Sequence, residues 1–320
     1  MLSVTSNDAV SLNAQPAGGR NMLDKLEFLL ALDRERHFGR AADSCGVAQP
    51  TLSLGIQSLE EMLNVPLVKR TSRFQSFTPE GERVLIWARR IVGDTDAMRQ
   101  EIFGLQRGVS ALIRLAVIPP AAVVASSLTM PFQKQHPDAR FTLLMRTSDT
   151  LLHMLHQREI DAGITYLDND PIHDTTTVPM YRQQYFLLTT KNGLLGTAQR
   201  TTWSAVAHLP LCLLTRDLQY RRIVDDTMRG LGLEPLPLIE TDSIAALVGH
   251  VQTGNWVSIV PSSLADSMNS PNLHAVPIVA PVISHTIGLV VSNRFPVHAT
   301  VEALMNQARQ ICPTELMAAE

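Results

Sequence analysis

Apolar positions first recur at helical spacing in "LDKLEFLLALDRER", where Leu23, Leu26, Phe28, Leu29, Leu30 and Leu32 cover one broad face. This spacing predicts a helix packed on a core. "GRAADSC" predicts a short second helix, in which Ala41 and Ala42 are small enough to admit a neighbour closely. Gly46 can take the positive φ that ends a helix, and Pro50 falls in the first turn of the next, where a missing N–H costs nothing. The third helix runs to about Leu63. Leu52, Ile56, Leu59 and Leu63 form its predicted buried stripe, and Thr51, Ser53, Leu54, Gly55, Gln57 and Ser58 its outer side. Val65, Leu67 and Val68, then Phe74 and Phe77, predict two short strands of a hairpin. From Pro79 to Gln106 no proline intervenes. Leu85, Ala88, Val92, Thr95 and Ile102 recur there at near-heptad steps, a seam that would pair with a partner helix or pack on the chain's own domain. "QRGVSAL" follows as a hinge.

The remaining two thirds alternate strand-like and helix-like runs. Strands are expected at 112–118, 140–146, 162–166, 184–190, 210–215, 236–240, 256–260 and 285–292. Helices are expected near 125–135, 148–158, 221–230, 243–253 and 297–311. That order is α/β, with a largely parallel sheet expected.

The chain's 320 residues allow two or three domains, and its net charge of −3 means that any nucleic-acid binding must be local. One such locality exists. Two helices joined by a tight glycine-containing turn, the second with a polar outer side, form a helix-turn-helix pattern. Gln57 suits adenine, and the Ser and Thr hydroxyls suit either bases or phosphate. Beside it, Lys69, Arg70 and Arg73 are the only charges between Met62 and Pro79, which suits a wing against phosphate or the minor groove. Other chemistry finds little support. There is no Gly-x-Ser-x-Gly, phosphate loop or metal-ligand spacing, so no enzyme and no cofactor are expected. Cys45, Cys212 and Cys312 are sparse and unpaired, which suits a reducing compartment. Residues 1–21 are polar without a basic-then-apolar signal and read as a disordered extension, with Met22 an alternative start. No apolar run approaches the ~20 residues of a membrane span, so the expected location is cytoplasmic.

The segment from "FLLALDRERHFGRAADSCGVAQPTLSLGIQSLEEMLNVPLVKRTSRFQSFTPEGERVL" resembles the N-terminal domain of LysR-type transcriptional regulators. The matching elements are Phe38, "RAA", "AQPTLS", "I..LE..L", "PL..R" and "TPEG", about sixty residues in order. The resemblance implies a winged helix-turn-helix over 22–79 and a linker and dimerisation helix over 80–108. It implies a two-lobed α/β effector-binding domain, like a periplasmic solute-binding protein, over 109–304, with a tail at 305–320. Lobe one would be 112–178 plus 278–304 and lobe two 179–277, with crossings near Val178–Tyr181 and Ala275–Ile278. The implied partners are double-stranded DNA, a second copy of the chain (a homodimer, then a tetramer), RNA polymerase and a small anionic effector between the lobes, such as formate or another small carboxylate.

The residues carried over for DNA are Arg40, Gln49, Pro50, Thr51, Ser53, Gln57, Lys69, Arg70 and Arg73. For the effector, the resemblance carries over Thr147, Ser148, Thr165 and Thr215; Arg216, as a partner for an anion, and Ser262 are added from their places after predicted strands. Each hydroxyl has a plainer reading as a helix cap, and Arg216 as a surface ion pair. Ala48 stands where the family usually has Ser, and Leu54 and Gly55 stand where it often has Arg and Gln. "PPA" at Pro119–Ala121 replaces a usual polar residue. The lobes alone would equally suit a solute-binding receptor. A redox sensor would find only Cys212 in lobe two, which excludes a disulfide within that lobe.

Overall fold

A computed structural model describes residues 21–70, 74–107, 112–168, 174–267, 272–293 and 299–311. Residues 1–20 of the expected extension, 312–320 of the expected tail, most of the "QRGVSAL" hinge, Arg73 and the Arg70 side chain lie outside these residues, whereas 305–311, expected in the tail, complete the last helix and bury Met305 and Ala308 in the core. The chain divides into two compact units, at Asp94/Thr95.

The first unit holds α1 (Met22–Glu35), α2 (Phe38–Ser44), α3 (Gln49–Leu63), β1 (Val68–Arg70) and β2 (Phe74–Phe77). It also holds the start of α4 (Pro79–Arg107). Asn21 caps α1 by accepting from the Asp24 N–H (3.0 Å), and Gly46 takes φ 65° in the turn after α2, as its position predicts. The core joins Leu26, Leu29 and Leu32 of α1 to Ala41 and Ala42 of α2 and to Leu52, Ile56 and Leu59 of α3. Two expectations for α3 are corrected here. Leu63 is exposed, while Gly55 is buried, because α3 approaches Phe28 of α1 so closely that a Cβ at Gly55 would lie 2.6 Å from the ring.

The resembling motifs have physical reasons in this unit. Glu60 accepts from the N–H groups of Leu67 (2.8 Å) and Val68 (3.1 Å), tying α3 to the first wing strand. The Thr78 hydroxyl donates to the Pro66 carbonyl (2.7 Å) and accepts from the Gly81 N–H (2.9 Å), so "TPEG" both caps α4 and holds the base of the wing. β1 and β2 pair antiparallel, Val68 opposite Phe77. The predicted α4 seam is divided. Leu85 and Ala88 are fully buried in the first unit's own core, with Val92 packed against it. Among the described side chains of α4, the large apolar ones that are exposed are Trp87, Ile91, Met98 and Ile102, at steps of four, seven and four.

The second unit runs β3 (Leu112–Val117), α5 (Ala125–Gln135), β4 (Arg140–Met145), α6 (Ser148–His156), β5 (Ala162–Tyr166), β6 (Thr175–Thr190), β7 (Thr201–Thr202), α7 (Trp203–Ala207), β8 (Cys212–Leu214), α8 (Gln219–Gly230), β9 (Ile239–Thr241), α9 (Ile244–Gln252), β10 (Ser258–Pro261), α10 (Ser262–Ser267), β11 (Leu273–Val279), β12 (Ser284–Ser292) and α11 (Ala299–Ile311). Its main sheet has the order β4-β3-β5-β12-β6-β11-β7, with β10 also on β6. β3 pairs parallel with β4 and β5, and β8 parallel with β9, as an α/β order predicts. The sheet as a whole is mixed, however, because β12 runs antiparallel to β5 and β6, and β10 and β11 antiparallel to β6.

The antiparallel pairs are those that carry the chain between two lobes, each with its own core. β6 pairs with β12 over 175–184 and with β10 and β11 over 185–190. The change of lobe on β6 thus falls at Gln184/Tyr185, beyond the expected Val178–Tyr181. Pro179 sits at a bulge opposite Ile287/Gly288, where its missing N–H is tolerated and the strand continues. The return falls between Val279, still beside β7, and Ser284, already beside β6 in lobe one. Ala275–Ile278 is therefore internal to β11. β7, α7, α10, β11 and the part of β6 before residue 184 were not expected from the sequence.

Candidate nucleic-acid interface and effector cleft

In the first unit, α3 buries Leu52, Gly55, Ile56 and Leu59 and turns the opposite side outward. Pro50, Leu54, Gln57 and Glu61 follow one another at steps of four, three and four, a single exposed stripe along the helix. Gln49 is also exposed, and Thr51 and Ser53 flank the stripe half-buried. Ser58 is engaged elsewhere, its hydroxyl accepting from Lys25 Nζ at 2.9 Å. Arg40 is exposed, donates to the Glu35 carbonyl (2.6 Å) and lies 3.7 Å from the Glu35 carboxylate. Lys69 is exposed on β1, and the wing is braced by Arg36, whose guanidinium stands 5.9 Å and 5.4 Å from the Phe74 and Phe77 ring centres. The expected DNA residues Gln49, Pro50, Thr51, Ser53 and Gln57 therefore share one side of α3, while Arg40 and Lys69 come from α2 and the wing. Ala48 stands at the N-cap of α3 and supplies no side-chain acceptor.

In the second unit a shallow cleft opens between the lobes. It is lined by Ile118, Pro119, Pro120, Thr147, Ser148, Tyr166, Leu218, Gln219 and Tyr220. Two helix starts meet there. Thr147 caps α6 by accepting from the Thr150 N–H at 3.3 Å, whereas Leu218 at the N-cap of α8 offers no side-chain acceptor. The first N–H groups of α8 are thus left for another acceptor. Asp149 of α6 and Arg222 of α8 form an ion pair (3.1 Å) between the two lobes. Ser263 adds a hydrogen bond to the Pro120 carbonyl (3.3 Å).

Of the six expected effector residues only Thr147 and Ser148 line this cleft. Thr165 is buried behind it and donates to the Ser148 hydroxyl (3.0 Å). The Thr215 hydroxyl is buried without a partner, outside the lining. Ser262 accepts from the Gln184 N–H (3.3 Å). Arg216 is 70 % exposed and faces Asp225 at 3.4 Å, the surface ion pair that its plainer reading anticipated. Neighbouring Arg221 is buried and structural, held by Asp225 (2.7 Å), the Leu214 carbonyl (2.7 Å) and Glu240.

Sequence reasoning missed Tyr166, Leu218, Gln219 and Tyr220. Tyr166 had a signal, being the last residue of a predicted strand; α8 starts two residues earlier than its pattern suggested.

The cleft floor continues into a buried aromatic cluster. The Tyr166 hydroxyl accepts from Gln183 Nε2 (2.9 Å), Tyr185 stacks on Tyr220 at 5.6 Å, and the Tyr185 hydroxyl meets His285 Nδ1 at 2.9 Å. Burial pushes the Tyr166, Tyr185 and Tyr220 phenols well above their ordinary range. Burial also lowers His285, against a smaller upward effect of Asp168. The floor is therefore neutral and hydroxyl-bearing at ordinary pH, and no lining side chain carries a charge. Cys212 is fully buried in β8, and burial raises its thiol, so it holds its proton and is chemically quiet. Among the described residues no cluster of His, Cys, Asp and Glu could hold a metal, and no helix is long and apolar enough to cross a membrane.

Comparison with known proteins meets both sites. The family model for a bacterial regulatory helix-turn-helix protein of the lysR family matches residues 23–82, and that for the LysR substrate binding domain matches 106–313. A probable nitrogen assimilation transcriptional activator from Synechococcus elongatus is 25 % identical, covering 93 % of this chain and 96 % of that protein. The DNA-binding transcriptional dual regulator OxyR of Escherichia coli is also 25 % identical, covering 89 % and 93 %. Among solved structures, a full-length OxyR variant from Pseudomonas aeruginosa superposes with TM-score 0.72 at 25 % identity, covering 91 % of this chain and 98 % of that one. Full-length CbnR in complex with its target DNA shares the fold at TM-score 0.69 and 20 % identity, covering 91 % and 100 %.

Proposed function

Because this chain belongs to the LysR family of transcriptional regulators, with a helix-turn-helix DNA-binding domain and an effector-binding domain, we propose that a small anionic molecule held in its interlobe cleft controls how it engages DNA. The observation that carries this reading is the uncharged interlobe cleft at the starts of α6 and α8, the second of them without a side-chain cap. Free N–H groups and the positive end of a helix favour an acceptor with negative charge. Arg216, directed at Asp225, has no part in this reading. Gln219, Thr147 and Ser148 take the polar contacts, and Tyr166 and Tyr220 supply the floor.

A ligand that draws the lobes together competes with or reinforces the Asp149–Arg222 pair, and so favours one lobe arrangement over another. The exposed Trp87, Ile91, Met98 and Ile102 of α4 support pairing of two copies, which would present two reading helices to two half-sites. Contact with RNA polymerase, further assembly to a tetramer and a cytoplasmic setting belong to the same proposal. It includes no catalytic step and no cofactor. The solute-receptor alternative leaves the helix-turn-helix of residues 23–82 without a use.

The test is thermal denaturation of the full chain with a panel of small monocarboxylic acids, each beside its own amide. An acid present at a hundred times its dissociation constant should stabilise the second unit by about 2.7 kcal/mol. Its amide should do so far less, and Gln219→Ala should weaken the effect. Equal stabilisation by acid and amide would overturn the anionic reading.

A further inference from the structure

We propose that Leu54 is a specificity-determining residue that reads a thymine through its 5-methyl group in the major groove. The inference rests on the DNA-binding function of the helix-turn-helix and goes beyond it to one base contact. Leu54 is 63 % exposed, the most exposed large apolar side chain among the described residues of the first unit. It lies in the middle of the α3 stripe formed by Pro50, Leu54, Gln57 and Glu61, with Ser53 beside it. The opposite side of the helix is committed to the core through Leu52, Gly55, Ile56 and Leu59. A reading helix that lies in the groove must therefore present Leu54 to the base edges.

Leucine offers no hydrogen bond. The only apolar group in the major-groove code is the thymine methyl, so that is the group whose burial Leu54 can reward. Its surroundings argue against an apolar docking patch for another protein. The next exposed apolar residues on α3 are Met62 and Leu63, eight and nine positions on and so about two turns away. Gln57, Ser58 and Glu61 intervene, and the Met62 sulfur already accepts from Lys25 Nζ at 3.2 Å. Leu54 is a single apolar point in a polar field, with only the small Pro50 one turn before it. That is the pattern of a base reader with polar flanking contacts from Ser53 and Gln57.

The experiment uses the full chain and duplexes selected by it from a random pool. Each thymine of the selected half-site is then replaced by uracil, which removes the methyl and nothing else. We expect one such replacement per half-site to weaken binding about fourfold, the equivalent of one buried methyl. Leu54→Ala should bind the thymine duplex more weakly by a similar factor and should no longer distinguish thymine from uracil. Gln57→Ala should keep that distinction. Since Leu54 is exposed and alanine favours helix, the thermal midpoint should not fall.

A selected site with no methyl-sensitive thymine would overturn the proposal. So would a Leu54→Ala protein that discriminates as the parent does, or that loses affinity evenly across all sequences. Failure to select any preferred sequence would instead sink sequence-specific reading by this chain altogether.

Discussion

Gly81→Ala is the substitution on which the account of the DNA-binding unit is most exposed. A Cβ at this position would stand 2.1 Å from the Leu67 carbonyl oxygen and 3.0 Å from its carbon, backbone atoms that no rotamer change can move aside. The Leu67 carbonyl accepts from the Thr78 N–H (2.9 Å), and the Leu67 N–H donates to Glu60 (2.8 Å), so the peptide is held on both sides. To admit the methyl, the Thr78 bond must break or α4 must lift from the wing. Leaving a buried donor unmet costs about 1–3 kcal/mol, and residual overpacking adds about 1–3 kcal/mol. Alanine returns about 1 kcal/mol through helix propensity. The clash wins, with a net loss of about 1–5 kcal/mol, or about 3 kcal/mol at the middle of that range. For a unit of this size each kcal/mol corresponds to about 4–8 °C. The first unit's melting midpoint should fall by about 10 °C or more, with faster hydrogen exchange at Leu67 and Thr78. Gly249→Ala is the control: it lies exposed inside α9 with nothing within 4 Å of the added Cβ. It should stabilise the second unit by about 0.5–1 kcal/mol. If Gly81→Ala leaves the midpoint of the first unit unchanged or raises it, the reasoning about the wing's base is wrong.

Other expectations follow from single features. Lys69→Ala should weaken binding to all duplexes alike and reduce the log–log salt slope by about one; loss of preference at one base position instead would make Lys69 a reader. Ile91→Glu together with Met98→Glu should raise the dissociation constant of the dimer at least about tenfold, a difference of about 1.4 kcal/mol, in sedimentation measurements. An unchanged constant would place pairing elsewhere.

Burial keeps His285 neutral at pH values where the unfolded chain's imidazole is charged, so the unfolded state binds more protons. The second unit should be fully stable above the ordinary histidine pKa of about 6.5 and lose stability as pH falls below it. His285→Gln should flatten that loss between about pH 7 and 5, the window set by the ordinary value; identical pH profiles would show that the imidazole is not its source. Cys212→Ser should leave DNA binding insensitive to peroxide, as in the parent, because the thiol is buried and protonated. A peroxide response in the parent that this substitution abolishes would make Cys212 a sensor after all.

Local order was legible from the chain itself. Helical spacing in α1 and α3, the Gly46 break, Pro50 at a helix start and the hairpin of β1 and β2 all depend on contacts within a few residues, and each leaves a periodic or positional mark. The same holds for Thr147, whose place between a strand and a helix made it a cap beside the cleft. Other assignments depended on contacts that spacing cannot carry. Gly55 lies on the face that meets Phe28, and Leu85 and Ala88 are drawn into the first unit's core rather than a seam. Thr165 turned to Ser148, and Arg216 turned to Asp225 rather than to the cleft.

The sequence by itself determined most of the helices and strands, the family to which the chain belongs and the helix-turn-helix at residues 23–82. Only the tertiary structure decided that Tyr166 and the start of α8 share one cleft, and that the lobes change partner at Gln184/Tyr185 along an unbroken strand. Periodicity records that a face is apolar. Which distant element covers it, and which polar atom finds a partner there, depends on how segments more than fifty residues apart are brought together.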